Sequence, residues 1–285
     1  MGSTSSAVLP PSANEEGEKL LLELALAALN AAQNSQDEQP TAAAEKEMCE
    51  LMDRLRPAHL GLDGPRPAGF FRASNDGKID ENGNKAAIRT QTVFSNREFE
   101  IVVFLFPAGA AIPLHDHPKM TVLSKVLYGA LAMKSFDWAV PPTADDFAAL
   151  TAESSRQEAR AANCDPAGAD DDTPLAPPFA AFRRAETVLN AAAPTCCLRP
   201  TFGNIHSFEA LSETAVLDLL MPPYDDDLGR DCHYFEAVGQ QEELADGSIV
   251  LRAAAEPDSL VIRSAPYMGP RIDQQQSRPP PSEVT

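Results

Sequence analysis

The chain predicts an antiparallel β-barrel or double-sheet jelly roll preceded by helices. Three observations carry that expectation. From about residue 90, apolar residues recur with period two or in short continuous runs, the pattern of strands buried on one or both faces. Turn-forming residues separate many of these runs: Pro107-Ala108-Gly109, Gly129, Gly203, Pro222-Pro223 and Asp246-Gly247. No long helical pattern lies between successive runs, which argues against alternating strand–helix units.

In chain order, Leu20, Leu21, Leu24, Ala27 and Ala28 recur at helical spacing and predict a helix over 18–33. A second helix follows in "TAAAEKEMCELMDRLRP". Thr41 is its expected cap, Glu45 and Glu47 sit in its first turns, and Met48, Leu51, Met52 and Leu55 form its apolar face. Strands are expected at 97–106, 110–116, 120–128, 130–137, 182–190, 195–200, 205–210, 214–221, 247–254 and 258–264. Residues 141–178, rich in Ala, Asp and Pro, interrupt them and read as a solvated, partly disordered acidic insertion with a short helix at 144–160. The expected organisation is therefore a tail with a short helix over 1–45, a domain over 46–268 containing that insertion, and a disordered tail over 269–285.

Composition narrows the function classes. A chain of 285 residues with 44% hydrophobic content buries a sizeable core without staples. Against 23 basic residues stand 42 acidic ones, a formal charge of −19, which argues against a nucleic-acid surface and against an electrostatic hold on anionic lipid. Such a field mildly favours cationic ligands or basic peptides. The five cysteines are odd in number, include the adjacent pair Cys196-Cys197 and form no CxxC, so a disulfide framework is not expected, and a reducing cytoplasm or nucleus fits. No apolar run reaches the roughly 18 residues of a membrane helix, and no secretory signal is expected. "MGSTSS" matches the pattern for N-myristoylation at Gly2, a single chain that would anchor weakly. A monomer is expected.

Two of the five histidines stand one residue apart inside an apolar run, "GAAIPLHDHPKMTVLSKVLYG". In a strand, residues i and i+2 share a face, so His115 and His117 project together with Asp116 turned away. Two neutral imidazoles on one barrel face make a metal chelate, and His206 in "PTFGNIHSFEA" is the candidate third ligand. His206 alone would be read as a hydrogen-bonded core residue; the pair among buried strands favours metal. His59 reads as a loop residue and His233 as a packing or hydrogen-bonding one. Imidazole suits Zn, Cu, Fe and Ni alike, so the sequence leaves the metal open.

These residues resemble the cupin pattern G-x5-H-x-H-x4-E-x6-G, matched by Gly109, His115, His117 and Gly129, with Val122 in place of the Glu. Gly203 and His206 match the G-x2-H of the second cupin motif, with looser proline spacing at Pro200 and Ala210 where Asn is usual. The resemblance implies a cupin double-stranded β-helix, a jelly-roll barrel with N-terminal helices, and a three-His site without a carboxylate ligand. Over about 46–265, "IPLHDHPKMTVLSKVLYGALAMKSFDW", "GNIHSF" and "LDLLMPPYDDDLGRDCHYF" are similar to the plant cysteine oxidases and 2-aminoethanethiol dioxygenases. Lys119 departs from the Gly usual after "HDHP" in that family and bears on the shape of the entrance.

The resemblance implies one Fe(2+) held by His115, His117 and His206, and oxidation by O2 of an N-terminal cysteine of a peptide or protein to the sulfinic acid, a product feeding an oxygen-dependent degradation signal. It also implies an active-site role for Tyr224, whose hydroxyl would reach bound oxygen or substrate, and a place near the site for Cys232. Asp218, a carboxylate inside the apolar strand "TAVLDLLM", is costly to bury unless paired; it reads as a pocket carboxylate or as a buried structural pair. The alternatives are oxidation of a small aminothiol such as cysteamine, and a non-enzymatic cupin that binds metal or ligand. Cys196 and Cys197 face opposite ways and suit no nucleophile. Arg183 and Arg184 are candidates to gate a peptide, with solvated charge as the plainer role.

Overall fold

The computed structural model describes residues 12–35, 39–64, 66–72, 86–161, 176, 178–238 and 244–272. Gly2 and Cys164 therefore lie outside the described residues, as do 273–285 of the expected C-terminal tail. Two helices come first. α1 (Ala13–Gln33) starts at a capping box in which Ser12 and Glu15 satisfy each other's backbone N–H groups. α2 (Ala42–Arg54) is capped by Thr41 as expected, and Met48, Leu51, Met52 and Leu55 are buried. A 3₁₀ turn, Pro57–Leu60, brings His59 under α1. A Cβ on Gly17 would lie 2.1 Å from the His59 carbonyl oxygen, so only glycine lets the two backbones meet there. His59 is thus a buried spacer rather than a loop residue.

Thirteen strands follow among the described residues: β1 Ile88–Ser95, β2 Glu100–Phe106, β3 Ala111–His115, β4 Thr121–Tyr128, β5 Ala130–Trp138, β6 Phe179–Arg183, β7 Thr187–Asn190, β8 Cys196–Leu198, β9 Ile205–Ala210, β10 Thr214–Met221, β11 Tyr234–Ala237, β12 Ser248–Ala254 and β13 Ile262–Ser264. One sheet runs β13-β1-β2-β10-β4-β8, the other β6-β12-β11-β3-β9-β5-β7. All pairings but β1–β13 are antiparallel. The two sheets enclose the cupin barrel. β4 turns into β5 at Gly129, whose φ of +81° and 2.3 Å Cβ clearance to the Glu213 carbonyl oxygen exclude a side chain.

Strands β1 and β11 were not expected. Arg89, Thr90 and Gln91 hide the apolar signal of β1, although Gln91 is buried and donates to the Pro266 carbonyl. β11 is four residues long and begins on a tyrosine. The run 182–190 is two strands, β6 and β7, both bonded along one edge of β5.

Side-chain alternation divides the core. Leu217, Leu219 and Met221 of β10 pack outward with Ile101, Val103 and Leu105 against α1 and α2. The packing therefore crosses the boundary expected at residue 45, and Ile272 joins the same cluster beyond 268. Val216 and Leu220 point the other way, into the barrel. The insertion contributes α3 (Ala144–Ala161), which lays Leu150 and Phe147 onto Trp138, Phe179 and Phe235 outside the second sheet. It is docked through Phe147 and Leu150 rather than solvated throughout.

Candidate metal centre

His115 ends β3 and His206 lies beside it on β9, the two being direct cross-strand partners. Strict alternation would have pointed Leu114 inward with Ile112 and left His115 outside. The register slips between the Ile112–Phe208 and His115–His206 pairs, so three steps on β3 oppose two on β9. This is a bulge, and it turns His115 into the barrel. Pro113 sits within it, where a residue without an N–H breaks no ladder bond. His117 lies just past the strand. Its backbone N–H donates to Asn204 Oδ1 at 3.1 Å, and Asn204 Nδ2 donates to its carbonyl at 2.8 Å.

One ligand atom from each of His115, His117 and His206 lies within 4.8 Å of the others, and all three residues are buried. Imidazoles almost ninety residues apart in sequence thus converge on one point. Burial holds all three below the ordinary imidazole range, and mutual repulsion among the three rings adds to the effect at His117 and His206. They are therefore neutral, as ligation requires.

Their tautomers follow from their partners. His115 Nδ1 lies 2.9 Å from the Pro113 carbonyl oxygen and His206 Nδ1 3.4 Å from that of Asn204. A carbonyl only accepts, so Nδ1 carries the proton in both and Nε2 keeps its lone pair. His117 Nδ1 lies 2.6 Å from Tyr224 Oη, which is 2.7 Å from the Asp116 carbonyl oxygen. The phenol donates to Asp116 and accepts from His117. Burial raises the Tyr224 phenol well above its ordinary value, so it stays protonated. Three neutral Nε2 donors with fixed tautomers fit a divalent borderline metal that keeps open positions.

The other expected residues are placed as follows. Tyr224 rests its ring on the interior cluster, but its hydroxyl is committed to His117 and Asp116 rather than free for substrate. Asp218 faces the interior from β10 beside Val102 and Ser124. Burial pushes its carboxyl up to about 7, a rise the nearby Ser124 hydroxyl only partly offsets, and its Oδ1 is buried without a hydrogen-bond partner. Cys232 lies beside Tyr224; burial pushes its thiol up to about 12. Lys119 is exposed with φ of +58°, which explains why glycine suits that position, and its carbonyl accepts from Gln39 Nε2 at 2.8 Å. Cys196 faces the barrel and Cys197 the helices, and burial holds both thiols up, Cys196 to about 11.

Sequence reasoning missed Asp116. It does turn away from the ligands, but it is fully buried, and its carboxylate accepts from the His233 backbone N–H at 2.9 Å and from Nδ1 at 3.2 Å. His233 Nε2 then lies 3.0 Å from Thr151 Oγ1 on α3. The segment between the two early ligands is thereby tied to the insertion helix. The signal available was a carboxylate flanked by buried histidines, with a fourth histidine in a distant segment. As expected, His233 hydrogen-bonds and does not join the ligand cluster.

A family model described as PCO_ADO matches residues 51–272. Among characterised relatives, plant cysteine oxidase 2 of Arabidopsis thaliana is 29% identical over 236 residues, covering 79% of this chain and 72% of the relative. The 2-aminoethanethiol dioxygenase of Homo sapiens is 32% identical over 196 residues, covering 63% and 66%. Among solved structures, an RmlC-like cupin protein from Desulfovibrio desulfuricans aligns at a TM-score of 0.28 and 17% identity over 51% of this chain and 89% of its own. That alignment adds no weight to the fold, which rests on the strand order and the motif residues.

Proposed function

The chain belongs to the PCO_ADO family, and from that premise we propose that it is an iron-dependent thiol dioxygenase acting on a peptide or protein with an N-terminal cysteine. The reaction is RSH + O2 → RSO2H: both oxygen atoms end on sulfur, and the product is a sulfinic acid that cells mostly do not reverse. That product would feed an oxygen-dependent degradation signal. The observation that carries the reading is the convergence of three neutral imidazoles within 4.8 Å inside the barrel.

His115, His117 and His206 would hold an iron(II) ion, whose positive charge would favour thiolate over thiol and which would supply the redox chemistry of O2 activation. The remaining roles belong to the protein. Pro113 and Asn204 hold the tautomers of His115 and His206, and Tyr224 holds that of His117. Asp218, across the barrel with an unpartnered oxygen, receives the substrate's α-ammonium group. That cation compensates a carboxylate that is otherwise costly to ionise there. Apolar neighbours Val102, Val122, Leu198 and Leu220 keep bulk water from the reacting sulfur.

The test is mass spectrometry of a Cys-initiating peptide incubated with O2 and iron-loaded protein. A gain of about two oxygen masses on the cysteine supports the reading. Oxidation of cysteamine alone, with the peptide untouched, would replace it by the small-aminothiol reaction.

A further inference from the structure

The residue between the two early ligands is held by all of its polar groups. β3 and β11 pair at His115 and Tyr234, and the next residues, Asp116 and His233, continue that ladder in altered form. The Asp116 backbone N–H donates to the His233 carbonyl at 3.1 Å, as in a regular antiparallel pair. The return bond does not go to a carbonyl: the His233 backbone N–H donates to Asp116 Oδ1 at 2.9 Å. That leaves the Asp116 carbonyl to accept from Tyr224 Oη at 2.7 Å, the hydroxyl that also meets His117. His233 Nδ1 lies 3.2 Å from both carboxylate oxygens and completes the set. Asp116 and His233 are both fully buried, so solvent offers neither an alternative partner.

The far side of the His233 ring belongs to the insertion. α3 is preceded by its own capping pair, in which Thr143 and Asp146 satisfy each other's backbone N–H groups. Phe147, Leu150 and Thr151 then follow at i, i+3 and i+4 and share one helix face. Phe147 stacks on the His233 ring with centroids 6.0 Å apart and planes 25° from parallel. Leu150 is buried in the Trp138 cluster. Thr151 Oγ1 lies 3.0 Å from His233 Nε2 and 3.1 Å from Asp231 Oδ2. Satisfying a buried carboxylate needs only the Nδ1 side of the ring. The contacts at Nε2 and on the ring face fix its rotation as well, and they run unbroken from α3 to the residue that sets the separation of His115 and His117.

We infer that His233 and Thr151 are positioning residues of the metal centre, and that docking of α3 and binding of metal favour each other. The inference rests on the three-histidine metal site and not on the thiol substrate. With the His233 ring fixed, the peptide units on either side of Asp116 are held against rotation, and His115 and His117 keep the spacing that ligation uses. Linkage makes the effect reciprocal: the factor by which the α3 contact raises metal affinity is the factor by which metal favours the docked helix.

Two measurements on the full chain test this, both with Fe(II) under anaerobic conditions and without thiol. Competition against a chromophoric chelator reads the affinity. Thr151→Val keeps the side-chain shape, loses the hydroxyl and should weaken binding about tenfold, whereas Thr151→Ser should stay within about twofold of the wild type. Hydrogen exchange reads the reverse direction and needs no variant. Metal should slow exchange of the wild-type amides around Leu150 about tenfold more than those of α1, which packs outside the other sheet, and in Thr151→Val that excess should vanish. A lowered Tm in Thr151→Val with affinity and metal-dependent exchange unmoved marks a purely structural contact and overturns the inference. An equal loss of affinity in Thr151→Ser, or no excess slowing of α3 in the wild type, overturns it too. A wild type that binds no Fe(II) overturns the metal centre and the inference together, whereas metal-loaded protein that fails to oxidise peptide overturns the proposed function alone.

Discussion

On the inner face of the second sheet each ligand imidazole has its Nδ1 within hydrogen-bonding distance of an oxygen, whereas on the facing sheet Asp218 Oδ1 is buried without a hydrogen-bond partner. Both walls are made of the same short strands, and both bury polar atoms among Leu, Val and Phe. A buried polar atom without a partner costs about 1–3 kcal/mol. One wall avoids that cost by internal bonding and leaves only its Nε2 lone pairs unsatisfied; the other retains it. On the proposed reading, the first wall would be completed by a metal and the second by the substrate's ammonium group. The difference separates residues that build the centre from residues that meet the ligand, and each prediction below tests that separation.

The largest effect falls on the ligand wall. His206→Ala removes one of three donors, and metal content should drop from about one ion per chain to below about a tenth, with oxidation abolished. Plasma emission spectroscopy on purified protein reads the metal, and circular dichroism checks that the barrel persists. Full metal retention would place the ion elsewhere.

Asp218→Asn probes the opposite wall. Metal content should be unchanged, whereas kcat/KM for a Cys-initiating peptide should fall about a hundredfold, because the amide cannot pair with the substrate ammonium. The same variant tests the energetics without metal. The Asp218 carboxyl sits at about 7 in the fold against an ordinary 3.8. Between those values the folded chain holds a proton that the unfolded chain releases. Stability is therefore fully present below about pH 4 and is lost as pH rises to about 7, by about 4 kcal/mol. Urea denaturation of the metal-free protein should show that slope, and Asp218→Asn should flatten it. An equal slope in both would show that Asp218 is ionised at lower pH than its burial dictates.

Much of this division was legible in the sequence, but unevenly. The spacing of His115, His117 and His206 announced the ligand set, and the apolar run around Asp218 marked that carboxylate as unusual. β9 and β10 were bounded correctly because buried strands with period-two polar interruptions carry a strong local signal. The bulge at Pro113 was not legible, since register slips depend on the partner strand. Nor was Asp116–His233–Thr151, which joins three segments far apart in the chain. Tyr224 was recognised as belonging to the site, but only coordinates could show its hydroxyl facing the ligand instead of the cavity. The docking of α1 escaped for a similar reason: an amphipathic stretch shows that a face will be buried, not against what.

Tyr224→Phe tests that orientation on the ligand wall. The variant keeps the ring against the interior cluster but leaves His117 Nδ1–H without its acceptor. Metal affinity should weaken about 10-fold, the lower end of what losing such a supporting hydrogen bond costs. Competition against a chromophoric chelator measures it. If affinity is unchanged while KM for the peptide rises, the hydroxyl meets the ligand after all and the division between the walls fails at this residue.

The smallest effect belongs to Lys119, at the end of the ligand loop. A non-glycine residue with φ of +58° carries about 1 kcal/mol of backbone strain relative to glycine. Lys119→Gly relieves that strain but gives the unfolded chain more freedom, worth about 0.4–1 kcal/mol in the opposite direction. The net change should be a stabilisation of less than about 1 kcal/mol, a rise in Tm of at most about 3 °C for a chain of this size. Differential scanning calorimetry resolves such a shift. The loop's hold on Gln39 passes through the Lys119 carbonyl, which glycine retains, so that bond should survive the exchange. A fall in Tm of several degrees would mean that the lysine side chain stabilises the loop by more than its backbone strain costs, which would make this surface residue part of the wall that holds the metal.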